Sequence, residues 1–155
     1  MNRVLIVGNS GAGKSTLARR LATEGTLHLD LDPFAWRPTS PPTRTPIRDA
    51  EDAIRAALAG HERWVVEGCY ADLAALLADD ADELLFLDVP VAVCLDHARV
   101  RPWEPHKYAS KAEQDANLPM LLDWIAGYPT RDGPLGRPAH EALYEGFAGR
   151  RRRIT

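Results

Sequence analysis

The sequence predicts an α/β fold in which a parallel sheet carries helices on both faces. Three observations predict it. Short apolar runs rich in β-branched residues, Val4–Val7, Trp64–Val66 and Leu84–Leu87, read as strands covered on both sides. Segments of helical spacing lie between them, the clearest being Ile47, Ala50, Ile54, Ala57 and Leu58. The two kinds of segment alternate along 155 residues with no internal repeat and no linker, so a single domain is expected over 1–155.

The elements follow in order. Val4–Val7 is the first strand, and it runs through Gly8–Ser15 into a helix over Thr16–Ala22. Leu27–Asp30 is a short second strand. From Leu31 to Ile47 the chain carries Pro33, Pro38, Pro41, Pro42 and Pro46, which predicts an ordered loop or flap with no regular element. Ile47–Leu58 is helical and stops before Gly60. Trp64–Glu67 is the third strand, Ala71–Ala78 a helix, Leu84–Asp88 the fourth strand and Val91–Val100 a helix. Arg101–Asn117, broken by Pro102 and Pro105, reads as a charged connection. Helices are then expected over Leu118–Ile125 and Ala139–Ala148, with Gly127–Pro138 as loop and Arg150–Thr155 as a short edge strand.

Composition narrows the function. Hydrophobic residues at 45 % and charged residues at 26 % are globular values that exclude a disordered or low-complexity chain. Lys and Arg number 19 against 22 Asp and Glu, a net charge of -3, which disfavours direct nucleic-acid binding. Only Lys14, Lys107 and Lys111 are lysines, so the basic residues are mostly arginine, the side chain suited to bidentate phosphate contacts. Cys69 and Cys94 are too few and too far apart for a disulfide framework and are expected as free thiols. No apolar run approaches a signal-peptide core or a membrane span, and a cytoplasmic location without membrane contact is expected.

The sharpest motif is Gly8-x-x-x-x-Gly13-Lys14-Ser15, set between a strand and a helix. That spacing lets the loop Gly8, Asn9, Ser10, Gly11, Ala12, Gly13 and the helix start at Lys14, Ser15 and Thr16 turn backbone N–H groups toward a phosphate. Lys14 then bridges the β- and γ-phosphates, and the Ser15 hydroxyl ligates Mg²⁺. ATP and Mg²⁺ are the expected cofactors. In an open parallel sheet, ligands lie beyond the carboxyl ends of the strands. Asp30, Asp32 and Glu67 fall there, whereas Asp88 reads as an ordinary polar residue at a strand end. An Asp-x-Asp pair suits phosphoryl transfer to a hydroxyl, one carboxylate serving Mg²⁺ and the other the acceptor. Trp36 and Tyr70 lie on the same rim and are placed to stack on a planar acceptor.

With this loop followed by His28-Leu29-Asp30-Leu31-Asp32-Pro33-Phe34-Ala35-Trp36 and by Trp64-Val65-Val66-Glu67-Gly68-Cys69-Tyr70, the chain resembles the small P-loop kinases of the shikimate, gluconate and adenylate kinase class. Within it, the pieces are most similar to bacterial topology modulation proteins and shikimate kinase-like AAA-family ATPases. The resemblance implies a three-layer P-loop NTPase fold with a parallel five-stranded sheet of order 2-3-1-4-5. It also implies an acceptor-binding region over about 33–58 and a lid over about 99–117. By the same similarity Asp30 serves the magnesium water and Asp32 the acceptor hydroxyl, while lid arginines Arg99 and Arg101 stabilise the transferring group; Glu67, read from its place at a strand end, is a further candidate metal ligand. Gly68 is all that remains of the glycine run on which a shikimate ring packs, and Arg48 or Arg55 would clamp an acceptor carboxylate. The Asp-Gly-Phe-Pro-Arg segment of adenylate kinases is absent.

His97–Lys111 concentrates basic side chains in one Pro-broken segment of an acidic chain, as a lid closing on an anion requires. Arg150–Arg153 is the one dense basic run. The expected activity is Mg-ATP-dependent phosphoryl transfer to a hydroxyl of a small metabolite by a monomer or homodimer. The alternative is a nucleotide-binding regulatory ATPase of the topology modulation type, acting through a DNA or protein partner.

Overall fold

The computed structural model describes residues 2–155. Five strands form one parallel sheet: β1 (Arg3–Gly8), β2 (Leu27–Asp30), β3 (Trp64–Glu67), β4 (Glu83–Leu87) and β5 (Arg150–Ile154). Their order across the sheet is β2-β3-β1-β4-β5, the order the resemblance implied. Helices α1 (Lys14–Leu21), α2 (Asp32–Ala35), α3 (Ile47–Leu58), α4 (Ala71–Leu76), α5 (Val91–Arg99), α6 (Lys111–Ala126) and α7 (Arg137–Gly146) supply the connections.

Alternation along the strands divides the core. Leu5, Val7, Val66, Leu84 and Phe86 face one side and pack with Ile54, Leu73, Leu77 and Phe147. Ile6, Val65, Leu85 and Leu87 face the other and pack with Ala18 of α1, Cys94 and Ala98 of α5 and Ile125 of α6. Burial on both sides is why these strands read as continuous apolar runs. Each such Val, Leu or Phe contributes roughly 1.5–3 kcal/mol relative to exposure.

Two segments differ from expectation. The proline-rich stretch after β2 holds the single-turn α2 and a two-stranded antiparallel ribbon pairing Trp36–Arg37 with Thr43–Arg44. Pro33 sits in the first turn of α2, where a missing N–H costs nothing. The charged connection ends early, because α6 already starts at Lys111 and runs through Pro119. Ser110 caps it, its hydroxyl accepting from Glu113 N–H at 3.1 Å, and the Glu113 carboxylate accepts from Ala109 N–H at 3.3 Å.

Arg150–Arg153 forms the edge strand, and two of its arginines hold the fold together. Arg153 and Arg137 both donate to Asp88 beyond β4, with contacts of 2.6–2.9 Å. The Arg137 hydrogen bonds hold the Asp88 carboxyl below its ordinary range. Arg151 donates to the Tyr144 and Glu145 carbonyls at the end of α7. Both cysteines are free thiols, and among the described residues no helix is long and apolar enough to cross a membrane.

His140 of α7 is fully buried and bridges the Tyr128 hydroxyl (2.6 Å) and the Cys69 carbonyl (2.8 Å), fixing the exit of β3. Burial depresses its pKa from 6.5 to about 4, so the folded protein holds it neutral. Its stabilising contribution is complete above pH 6.5 and is lost as pH falls toward 4, a difference of about 3 kcal/mol. In urea titrations from pH 7 to 4, His140→Gln is expected to lose the part of the pH slope lying between those values. The slope from Asp88, whose pKa is lowered from 3.8, sits at more acidic pH and remains.

Candidate active site

The glycine loop leaves β1 and enters α1 through Gly13, whose φ of +96° is a left-handed conformation that L side chains adopt at a cost. Gly11 lies so close to α5 that a Cβ there would sit 2.5 Å from the Cys94 carbonyl oxygen. Nothing caps α1: no side chain accepts from its first turn and no acidic residue lies there. Its leading N–H groups therefore have no helical partner and present the positive end of the helix dipole. Lys14 Nζ arches back to the Asn9 carbonyl at 2.7 Å, and His97 Nδ1 lies 2.7 Å from the Gly11 carbonyl, to which it donates. These groups line a cleft of about 750 Å³ together with Asp30, Asp32, Glu67, Gly68, Arg101 and Lys107.

Parallel register places the carboxylates. Asp30 ends β2 directly beside Glu67 of β3, and Glu67 in turn neighbours Ile6 of β1. Glu67 is 3 % exposed, and its Oε2 accepts from Ser15 Oγ at 2.8 Å and meets His28 Nε2 at 3.1 Å. Burial first, then the charge of Asp32, raises Asp30 above the ordinary carboxylate range. Asp32 goes the other way. Burial opposes its ionisation, but Lys107, the Tyr70 hydroxyl and the more distant Lys14 overcome it and hold its carboxyl below that range. Neighbouring carboxylates driven apart in this way suit different roles.

Asp32 also lines a second cleft of about 390 Å³ that adjoins the first through Ser10, Cys69, Arg101, Glu104 and Lys107. The Trp36 indole donates to Tyr70 Oη at 2.9 Å, and Tyr70 donates to Asp32 Oδ1 at 2.6 Å. Lys107 Nζ meets Asp32 Oδ2 at 3.1 Å and Glu104 at 3.6 Å. Gln114 of α6 holds this segment down, accepting from Glu104 N–H at 2.8 Å and donating to the Pro102 carbonyl at 3.1 Å. Tyr108, Leu118, Leu121 and Trp124 complete the wall.

Of the residues singled out by sequence, Ser10 to Thr16, Asp30, Asp32, Glu67, Gly68 and Arg101 meet at the larger cleft, and Trp36 and Tyr70 join Asp32 at the smaller. Gly8 forms the floor beneath the loop, a Cβ there meeting the Leu87 carbonyl oxygen at 2.7 Å. Asn9 turns its side chain inward, donating to the Ile125 carbonyl at 3.2 Å. Three residues stand apart. Arg48, exposed at the start of α3, lines neither cleft. Arg55 lines neither cleft; it pairs with Glu51 and Asp80, each at 3.0 Å, and with the Leu76 carbonyl. Arg99 is also outside both, paired with Asp96 at 3.1 Å on the surface of α5. The sequence marks His97 and Lys107 only as part of the basic segment His97–Lys111, and its spacing gives no site role to Gln114 or to Trp124 of the expected helix. Ser110-x-x-Glu113 is the signal that would have started α6 early enough to bring in Gln114.

The chain is similar to two solved structures. One is a shikimate kinase from Acinetobacter baumannii in complex with shikimate, at 20 % identity over 94 % of this chain and 92 % of that chain, with a TM-score of 0.46. The other is a gluconokinase from Sinorhizobium meliloti 1021, at 19 % identity over 96 % and 90 %, with a TM-score of 0.49. No protein-family model and no curated protein matches the chain.

The pKa of Asp32 is a direct readout of this geometry. Lys107→Met removes the largest force holding it down, and Tyr70→Phe removes a hydrogen-bond donor, so both variants should titrate Asp32 at higher pH than the parent. Carboxyl ¹³C NMR of Asp32 measures it. An unchanged titration in Lys107→Met would mean that the pair does not form in solution.

Proposed function

We propose that the protein is a kinase that transfers the terminal phosphoryl group of ATP to a hydroxyl of a small metabolite. The observation that carries this reading is Asp32, bonded to Tyr70 and paired with Lys107, at the junction of two clefts, one floored by the glycine loop and the other walled by aromatic side chains. The unpartnered N–H groups of the first turn of α1 and the Lys14 ammonium suit the triphosphate. In the adjoining cleft Asp32 accepts a hydrogen bond from the acceptor hydroxyl and takes its proton as the new O–P bond forms and ADP departs. Tyr70 and Lys107 keep that carboxylate ionised, and Trp36 fixes the Tyr70 hydroxyl. Arg101 and Lys107 lie where charge spreads during transfer, which favours them over Arg99 as the lid cations.

A divalent cation fits the oxygen set of the Ser15 hydroxyl with the Glu67 and Asp30 carboxylates, and Mg²⁺ there supplies neutralisation of phosphate charge. Among the described residues no three His, Cys, Asp or Glu side chains are grouped to hold a metal alone. Bound there, Mg²⁺ would take its remaining ligands from phosphate oxygens and water.

Two measurements test the reading. Screened against a metabolite library by ADP release, Asp32→Asn should lose roughly 10²–10⁴-fold of acceptor-dependent turnover while binding ATP almost normally. Glu67→Gln should raise the Mg²⁺ concentration for half-maximal turnover by about 10- to 100-fold. ATP hydrolysis that no small molecule stimulates would remove the kinase and leave the regulatory ATPase of the topology modulation type. For that alternative, the engagement of Arg151 and Arg153 within the fold leaves little of the basic run for DNA.

A further inference from the structure

The smaller cleft constrains the acceptor, given the kinase reading on which the argument rests. Its side chains charged at neutral pH are Asp32, Glu104, Arg101 and Lys107, two of each sign. Both cations are already paired: Arg101 with Glu104 at 3.4 Å, and Lys107 with Asp32 at 3.1 Å and Glu104 at 3.6 Å. An anionic acceptor entering here must strip a cation from a carboxylate and leave that carboxylate unpaired in a partly buried site. Of the arginines that could answer a carboxylate from outside, Arg48 is exposed and lines neither cleft, and the others are committed. Arg44 pairs with Asp72 at 3.0 Å, Arg131 donates to the Leu135 and Trp124 carbonyls, and Arg55 faces away toward Asp80.

The larger cleft is different. Lys14, Arg19 and Arg20 line it, and none of them pairs with a carboxylate among the described residues. The unpaired cations therefore lie on the nucleotide side, and Arg101 and Lys107, which line both clefts, are paired. Apart from the polar Ser10, Gln114 and Asn117, the rest of the acceptor wall is aromatic and apolar. Trp36 and Trp124 remain 39 % and 40 % exposed, although the Arg131 guanidinium covers one face of Trp124 at 3.5 Å from the ring centre, and Tyr108, Leu118 and Leu121 lie with them. Indole surface left open in a cleft offers stacking area to a planar or ring-shaped ligand.

We infer that the acceptor is an uncharged alcohol built on a ring, seated against Trp36 and Trp124 with its hydroxyl at Asp32, and that carboxylate-bearing sugar acids are disfavoured. The test uses matched probes that differ in charge within a library of hydroxyl compounds: methyl shikimate against shikimate, uridine against orotidine, and glucitol against gluconate. Turnover is followed by ADP release, and binding by tryptophan fluorescence. The neutral ring-bearing members are expected to exceed their anionic partners at least tenfold in kcat/KM and in affinity, and to exceed acyclic glucitol. Trp124→Ala should erase that advantage while Trp124→Phe, which keeps an aromatic wall, retains most of it.

Preference for the anionic members, lost in Arg101→Met or Lys107→Met, would overturn the inference and leave the kinase intact. Preference for acyclic over ring-bearing neutral members would overturn the ring requirement. ATP binding with no stimulation by any library member removes the kinase reading itself, and this inference with it.

Discussion

In the register that sets Asp30 beside Glu67 and Glu67 beside Ile6, the carboxyl ends of β2, β3 and β1 finish together at one edge of the sheet. The ladder continues one step further, with Leu31 N–H bonded to the Glu67 carbonyl and Gly68 N–H to the Ile6 carbonyl, so the directions in which all three chains leave are determined. Every group at the site depends on that constraint. The glycine loop leaves β1, the Asp pair leaves β2, and the segment carrying Tyr70 leaves β3. The cost is that Asp30 and Glu67 lie side by side with like charge. Ser15 and His28 offset it by hydrogen bonding to Glu67, while Asp30 keeps a raised pKa.

Groups near a strand end or within one motif were legible in the sequence. The bounds of β2, β3 and α3 fall where spacing placed them, because apolar runs and a following Gly or Pro are local signals. The loop from Gly8 to Ser15 and the carboxylates at 30, 32 and 67 were legible for the same reason. Residues 31–47 were not: proline density argues against regular structure, yet a single helical turn and a two-residue ribbon need few N–H groups. The start of α6 was obscured because Pro119 and a charged first half hide the helix, although Ser110 and Glu113 mark its cap.

Arg55 and Arg99 show the limit for long side chains. Their sequence positions lie near the right segments, but α3 turns Arg55 toward Asp80 and α5 leaves Arg99 at the surface. Lys107 is the converse. No spacing connects it to Asp32, and only the folded lid brings the two together.

Helix α6 ties these parts into one unit. Near its end the Ile125 carbonyl receives the Asn9 side chain of the glycine loop, and near its start Gln114 grips the segment that carries Lys107. Lys107 then reaches Asp32, so the charge that lowers the pKa of this partly buried carboxylate comes from the 101–110 segment, alongside the Tyr70 hydroxyl of the acceptor rim. Lid position and carboxylate ionisation are therefore linked. Withdrawing Lys107 removes the largest force that lowers the Asp32 pKa, and protonating Asp32 removes one of the two carboxylates that hold Lys107. Thermodynamic linkage makes the two effects equal in free energy. On the kinase reading, Asp32 would then accept a hydroxyl proton while the segment carrying Lys107 also shields the cleft from water.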